Sequence, residues 1–120
     1  MDEEAPAGTD CFLRGTGLFT PPYTISNDEL VESFNRYVDR YNAANAEAID
    51  AGNVAPLAHS SAEFIEKASG IRARYVLNKD GILDPECMVP RIAERPDSQP
   101  SVMCEMATAA AGDALADAGL

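Results

Sequence analysis

The spacing of apolar positions changes along this chain, and each change marks an element. Residues 11–19, Cys-Phe-Leu-Arg-Gly-Thr-Gly-Leu-Phe, carry apolar side chains on both faces, the pattern of a parallel strand buried on two sides. Gly15 and Gly17 would let another backbone approach that strand closely. Pro21 and Pro22 force an extended path, so 20–25 is predicted as a turn. Ser26 and Glu29 have the Ser-x-x-Glu spacing of a capping box and open a long helix over 28–51. Leu30, Phe34, Tyr37, Tyr41, Ala44 and Ala48 then advance in steps of three and four, an apolar stripe along one side. Glu32, Arg36, Asp39 and Arg40 take the opposite side, and Gly52 is the stop.

After a loop at 53–59, Ser60 and Glu63 repeat the capping pattern. Phe64, Ile65 and Ala68 can share one face of a short helix, which Gly70 ends. Ile71, Ala73 and Tyr75 alternate with Arg72, Arg74 and Val76, which predicts a strand over 71–77 with two arginines on one side. Residues 78–100 hold Pro85, Pro90, Pro96 and Pro100 and begin with a turn at Asn78-Lys79-Asp80-Gly81. The segment is too long for an idle connection, and Ile82, Leu83, Met88, Val89 and Ile92 give it apolar side chains to dock. Ser101 caps a last helix running to about Asp117. Met103, Met106, Ala107, Ala110 and Leu115 form its apolar side, and Gly119 lies past its end.

The elements define an α/β chain in the order strand, long helix, short helix, strand, long loop, helix. One domain is expected from 120 residues, preceded by a flexible acidic arm at 1–10. Two strands make a marginal sheet, and a first strand apolar on both sides needs neighbours on both edges. The chain is therefore expected to be incomplete as a folding unit, with further chain or a partner supplying strands.

Charge narrows the partners. The net charge of −11 disfavours nucleic acid and anionic membrane. Six of the nine basic residues, Lys67, Arg72, Arg74, Lys79, Arg91 and Arg95, fall between 67 and 95 against four acids, so that segment is +2 and the remainder −13. It could meet a phosphate or an acidic carrier protein, or be a solvated face with ordinary salt bridges. No apolar run reaches the roughly 20 residues of a membrane span, and the acidic amino terminus is unlike a signal or transit peptide. A cytoplasmic location is expected.

Candidate chemistry is sparse. Gly15-Thr16-Gly17 is followed by prolines rather than a helix, so it is no dinucleotide fingerprint. Cys11, Cys87 and Cys104 are odd in number and widely spaced, without metal-ligand spacing, and read as reduced thiols. His59 is the sole histidine and reads as structural. Cys104 stands in the first turn of the last helix, where a thiolate is favoured, but Glu105 beside it opposes one. No metal site and no catalytic residue is assigned.

Four segments, in order, resemble β-ketoacyl-acyl-carrier-protein synthase III, a condensing enzyme of the thiolase superfamily. Gly15-Thr16-Gly17-Leu18-Phe19-Thr20-Pro21-Pro22 is similar to the family's first strand and its exit. Ser26-Asn27-Asp28-Glu29-Leu30 resembles the start of its first helix. Phe64 to Arg74 resembles its helix-to-strand signature, Glu-Trp-Ile followed by Thr-Gly-Ile-x-x-Arg. Met106 to Leu120 resembles an Ala-rich helix ending Ala-Gly-Leu. The resemblance implies the amino-terminal part of a thiolase-like fold. It implies an acyltransferase of fatty-acid or ketide synthesis that joins an acyl group to malonyl on acyl carrier protein with loss of carbon dioxide. The family's catalytic Cys, His and Asn have no counterpart in this chain, so the chain alone is expected to be inactive.

The resemblance also implies the remaining site residues and partners. Phe64 matches a Trp that stacks on the adenine of coenzyme A. Lys67 stands beside Ala68, where the family often has an arginine. With Arg72 they are the candidate cofactor-binding residues. No cofactor is expected to be held tightly; acyl-coenzyme A or an acyl-carrier-protein thioester is the implied substrate. The remainder of the enzyme, acyl carrier protein and a second copy are the implied partners. The opposing expectation is a non-catalytic assembly module that presents the 28–51 stripe to a partner chain.

Overall fold

The computed structural model describes Gly8 and Asp10–Leu120. Apart from Gly8 and Asp10, the expected acidic arm at 1–10 lies outside the described residues. The elements are β1 (Tyr23–Ser26), α1 (Asn27–Ala44), α2 (Ala46–Asp50), α3 (Ala62–Ser69), β2 (Ala73–Val76), α4 (Asp80–Leu83) and α5 (Val102–Asp117). The chain divides into two compact units, Thr20–Glu94 and a second made of the residues up to Phe19 with Arg95–Leu120.

The unit Thr20–Glu94 is built on α1. The capping box forms as predicted: Ser26 Oγ accepts from Glu29 N at 3.2 Å, and Glu29 Oε2 accepts from Ser26 N at 2.9 Å. The residues just before it are a strand, not the predicted turn. The prolines set an extended path, and the chain stays extended because β2 pairs with it. The pairing is antiparallel, Tyr23 opposite Val76 and Ser26 opposite Ala73. The second predicted strand, 71–77, is β2, four residues long. Its inward side is Arg74 and Val76, while Ala73 and Tyr75 face out. The arginine side of the alternation is thus the packed side.

The long helix expected over 28–51 is broken at Asn45, whose side-chain amide donates to Tyr41 O at 2.8 Å. A short α2 follows, and Gly52 closes the turn with φ +76°. Ile25 and Val38 are fully buried and form the core, with Asn27 and Ser33 the buried polar residues beside them. The buried arc of α1 is rotated from the predicted stripe: Leu30, Phe34, Tyr41 and Ala48 are half-buried, but Tyr37 and Ala44 are exposed. α3 starts one residue later than expected. Ser61, not Ser60, caps it by accepting from Phe64 N at 3.1 Å, because Ser60 is bonded to α1 through its backbone. Gly70 ends α3 at φ +72°, as predicted.

Residues 78–94 are irregular except for α4, and they do dock. Ser33 on α1 donates to Leu83 O at 2.7 Å. Gly81 is buried beneath the returning chain, where an added Cβ would lie 2.4 Å from Val89 O. Asn78 holds Arg91 by both backbone groups, and Arg91 reaches Asp84 and, at 3.8 Å, Asp80.

In the second unit, residues 11–19 form no strand. No strand among the described residues pairs with this segment. Its backbone lies against α5 instead. A Cβ at Gly15 would stand 2.4 Å from Ala114 O, and one at Gly17 1.9 Å from Ala110 O. The expected close approach therefore occurs, and its partner is a helix. Thr16 N donates to Asp117 Oδ2 at 3.0 Å. The packed side of α5 is Val102, Met106, Ala110, Ala114 and Ala118; Met103 and Leu115, predicted on that side, are exposed. Ser101 caps the helix through Cys104 N, and Arg95 pairs with Glu105 at 2.9 Å.

Candidate functional site

Phe64, Lys67 and Arg72 belong to α3 and the turn after it. α3 is an eight-residue helix, capped by Ser61 and terminated at Gly70, so its outer side chains project from a fixed short rod. Ile65 points toward α1, and Phe64, one position earlier, turns outward and is 66% exposed. Phe64 is not a core residue, and of the predicted shared face of Phe64, Ile65 and Ala68 only Ile65 packs inward. Lys67 is three residues on, hence on the same outer side. Both candidate cations are already engaged: Lys67 with Glu63 at 2.7 Å and Arg72 with Glu66 at 2.7 Å. These pairs are well exposed, so an incoming phosphate competes with carboxylates held only weakly in water.

The same holds across the basic segment. Lys79 is bonded to Glu29, Arg91 to Asp84 and Arg95 to Glu105. The expectation of ordinary salt bridges describes these residues. Arg74 differs. Its Nη2 donates to Asn27 Oδ1 at 3.2 Å, and its Nη1 is buried without a partner among the described residues. Asn27 is the hub: its Nδ2 donates to Ile71 O at 2.7 Å and its N–H to Arg72 O at 3.0 Å. The Ser26-Asn27 segment and the Gly70-Ile71-Arg72-Ala73-Arg74 segment are thereby held against each other.

Inward of α3 lies an apolar cleft of about 280 Å³ lined by Leu30, Val31, Phe34, Ser60, Ile65 and Met88. Next to it Phe34, Tyr37 and Tyr41 form an aromatic row on α1, with ring centres 6.4 and 6.2 Å apart. His59 Nε2 lies 2.6 Å from Asp39 Oδ1, a pairing the sequence pattern did not disclose. Cys87 and Cys104 are free thiols; Cys104 Sγ lies 4.0 Å from Thr108 Oγ1. No metal-binding cluster of His, Cys, Asp and Glu occurs among the described residues.

Two functional-looking side chains were missed by pattern. Asn35 and Asn42 each hold the backbone of the loop before α3 by donor and acceptor together. Their signal is an asparagine pair seven residues apart on one helix face.

Comparison with known proteins gives the class. The chain is similar to a β-ketoacyl-acyl-carrier-protein synthase, the kind of enzyme that the four motifs resemble. Over 89 residues, 74% of the chain, it is 56% identical to the β-ketodecanoyl-[acyl-carrier-protein] synthase of Pseudomonas aeruginosa. The matched stretch spans 25% of that enzyme's length. No family model matches the chain. No helix among the described residues is long and apolar enough to cross a membrane.

Proposed function

We propose that the chain is the amino-terminal part of a β-ketoacyl-acyl-carrier-protein synthase III-like acyltransferase with a thiolase-like fold. The observation that carries this is the 56% identity across 89 residues to a β-ketodecanoyl-[acyl-carrier-protein] synthase. The complete enzyme forms a carbon–carbon bond by decarboxylative Claisen condensation in fatty-acid or ketide synthesis. The nucleophilic Cys and its His and Asn partners come from outside these residues, and the segment alone is inactive. The enzyme is cytoplasmic, works as a homodimer with acyl carrier protein, and holds no tight cofactor.

Within that reading, α3 is one wall of the acyl-donor entrance. Phe64 offers a stacking face to the adenine of coenzyme A, smaller than an indole and lacking its N–H. Lys67 and Arg72 supply charge to its phosphates once released from Glu63 and Glu66. Exposure of Phe64 supports this role, since an aromatic ring left in water is available to a ligand. A stacked ring is worth roughly 1 kcal/mol beyond its area.

The test is turnover by the complete enzyme with malonyl-acyl-carrier protein and a panel of acyl-coenzyme A thioesters of increasing length. Release of carbon dioxide with formation of a 3-oxoacyl product is expected. Phe64→Ala should raise KM for the donor about tenfold and leave kcat within about twofold, as loss of uniform binding requires. No product from any donor, coenzyme A-linked or carrier-linked, would remove the enzyme reading. One observation favours the assembly-module alternative: Tyr37 and Ala44 of the α1 stripe are left in water. A monomeric complete enzyme, active without a second copy, would confine that face to another role.

A further inference from the structure

The loop before α3 is attached to α1 by a ladder of side-chain amides rather than by apolar burial. Ser60 N donates to Asn35 Oδ1 at 2.9 Å, and Asn35 Nδ2 donates to Ser60 O at 3.1 Å. One heptad along α1 the arrangement repeats: Leu57 N donates to Asn42 Oδ1 and Asn42 Nδ2 to Leu57 O, both at 2.9 Å. Between these rungs His59 meets Asp39 at 2.6 Å.

The repeat has a geometric basis. Seven helical residues advance about 10.5 Å and turn almost twice, so Asn35 and Asn42 stand on one face. Three extended residues advance about 10 Å, so Leu57 and Ser60 present their backbones at the same interval. The helix face therefore serves as a template for an extended strap running antiparallel to it. Each asparagine satisfies one N–H and one C=O, as a neighbouring strand would.

The strap ends where α3 begins. Ser60 is the last clamped residue, Ser61 caps the helix, and Phe64 and Lys67 follow within its first two turns. α3 buries none of its side chains fully. Its inward contact is one side of the apolar cleft, through Ile65. A short helix with so little burial is poorly fixed by packing, and the two clamps provide fixed points at its entry.

We propose that Asn35 and Asn42 are positioning residues: by clamping residues 57–60 they set where α3 stands, and with it the Phe64–Lys67 surface that meets the acyl donor. The role at the donor rests on the proposed function; the placement of α3 does not.

The test uses Asn35→Ala and Asn42→Ala, singly and together, in the full-length enzyme. Hydrogen–deuterium exchange, thermal melting and calorimetric affinity for coenzyme A are measured. Exchange at the Ser60 and Leu57 amides should quicken about tenfold or more, because each loses its acceptor and a partner bond. The increase should extend to the α3 amides. Affinity for coenzyme A should fall about threefold or more with the melting temperature within about 2 °C. Should the double alanine variant not fold, Asn35→Asp and Asn42→Asp keep each acceptor and replace each donor, and should give the same pattern to a lesser degree. Faster exchange confined to the strap, with α3 protection and coenzyme A affinity unchanged, would overturn the proposal. Unchanged affinity in Phe64→Ala would instead count against the entrance, while α3 exchange still decides the positioning role.

Discussion

Asn27 shows how much one buried side chain can join. It is 5% exposed, it opens α1, and it bonds Ile71, Arg72 and Arg74 through three different groups. Asn27→Ala leaves Ile71 O and the Arg74 guanidinium short of a partner inside the fold. Loss of two side-chain bonds with desolvated remnants should destabilise by about 3 kcal/mol in a urea titration. Asn27→Asp keeps the acceptor for Arg74 and should recover part of that. Beside it, the Lys79 ammonium, and after it the Ser26 amide, hold the Glu29 carboxyl below its ordinary value of 4.5. A carboxylate favoured by the fold adds stability above the unfolded chain's pKa, because there both states are ionised and the favoured contacts are present. Below it the unfolded chain takes up the proton first, and the contribution disappears as pH falls through the lower folded value. Stability should thus rise with pH across the acid range, and Glu29→Gln should flatten that rise in melts taken at successive pH values. The capping box itself was legible, since Ser-x-x-Glu needs only neighbours in sequence. The reach of Asn27 was not, because its partners lie more than forty residues away.

Elements were legible where local chemistry decides them and blurred where tertiary contact does. Caps and glycine stops at Ser26, Gly52, Gly70 and Ser101 fell in place because each is settled within one turn. Four residues after two prolines carry little pattern of their own and predict a turn; pairing with β2 makes them the strand β1. The apolar spacing on α1 runs through the aromatics, yet Asn27, Ser33 and Val38 are what the fold buries. Apolar spacing finds a helix but not the azimuth of its packing when several faces hold apolar residues. Of the candidate site, Phe64, Lys67 and Arg72 rest on resemblance, whereas the clamps that hold the strap are visible only in the geometry. For residues 11–19 the glycines predict a close backbone approach, and the backbone that approaches is that of α5. Gly17→Ala would place a methyl 1.9 Å from Ala110 O, which no side-chain rotation relieves. It should destabilise the packing on α5 by about 2 kcal/mol, as overfilled contacts do. Gly112→Ala is the contrast: it lies within α5 with nothing within 4 Å of the new Cβ. It should raise helix stability by about 1 kcal/mol. A circular-dichroism melt of each variant checks the pair.

At the scale of the whole chain, apolar exposure and net charge oppose each other. Phe12, Leu13 and Leu18 from residues 11–19 are exposed, as are Met103 and Leu115 on α5; Leu13 reaches 87%. The predicted two-sided strand is therefore apolar, has no neighbouring strand among the described residues, and leaves these side chains in water. Such a segment, apolar, exposed and with no strand beside it, invites association with another chain. Against that stands a net charge of −11, which repels like copies at low ionic strength. The repulsion is screenable and the apolar attraction is not. The Debye length falls from about 10 Å at 0.1 M salt to about 3 Å at 1 M. The segment by itself should consequently remain small in dilute buffer, bind a hydrophobic dye there, and associate progressively as sodium chloride is raised. Light scattering across a salt series would show this. On the proposed function, adding the rest of the enzyme in trans should suppress both dye binding and association by supplying strands beside residues 11–19. A dye-silent segment whose size is constant from low to high salt would mean that these side chains are already covered, and the search for partner strands would lose its physical ground.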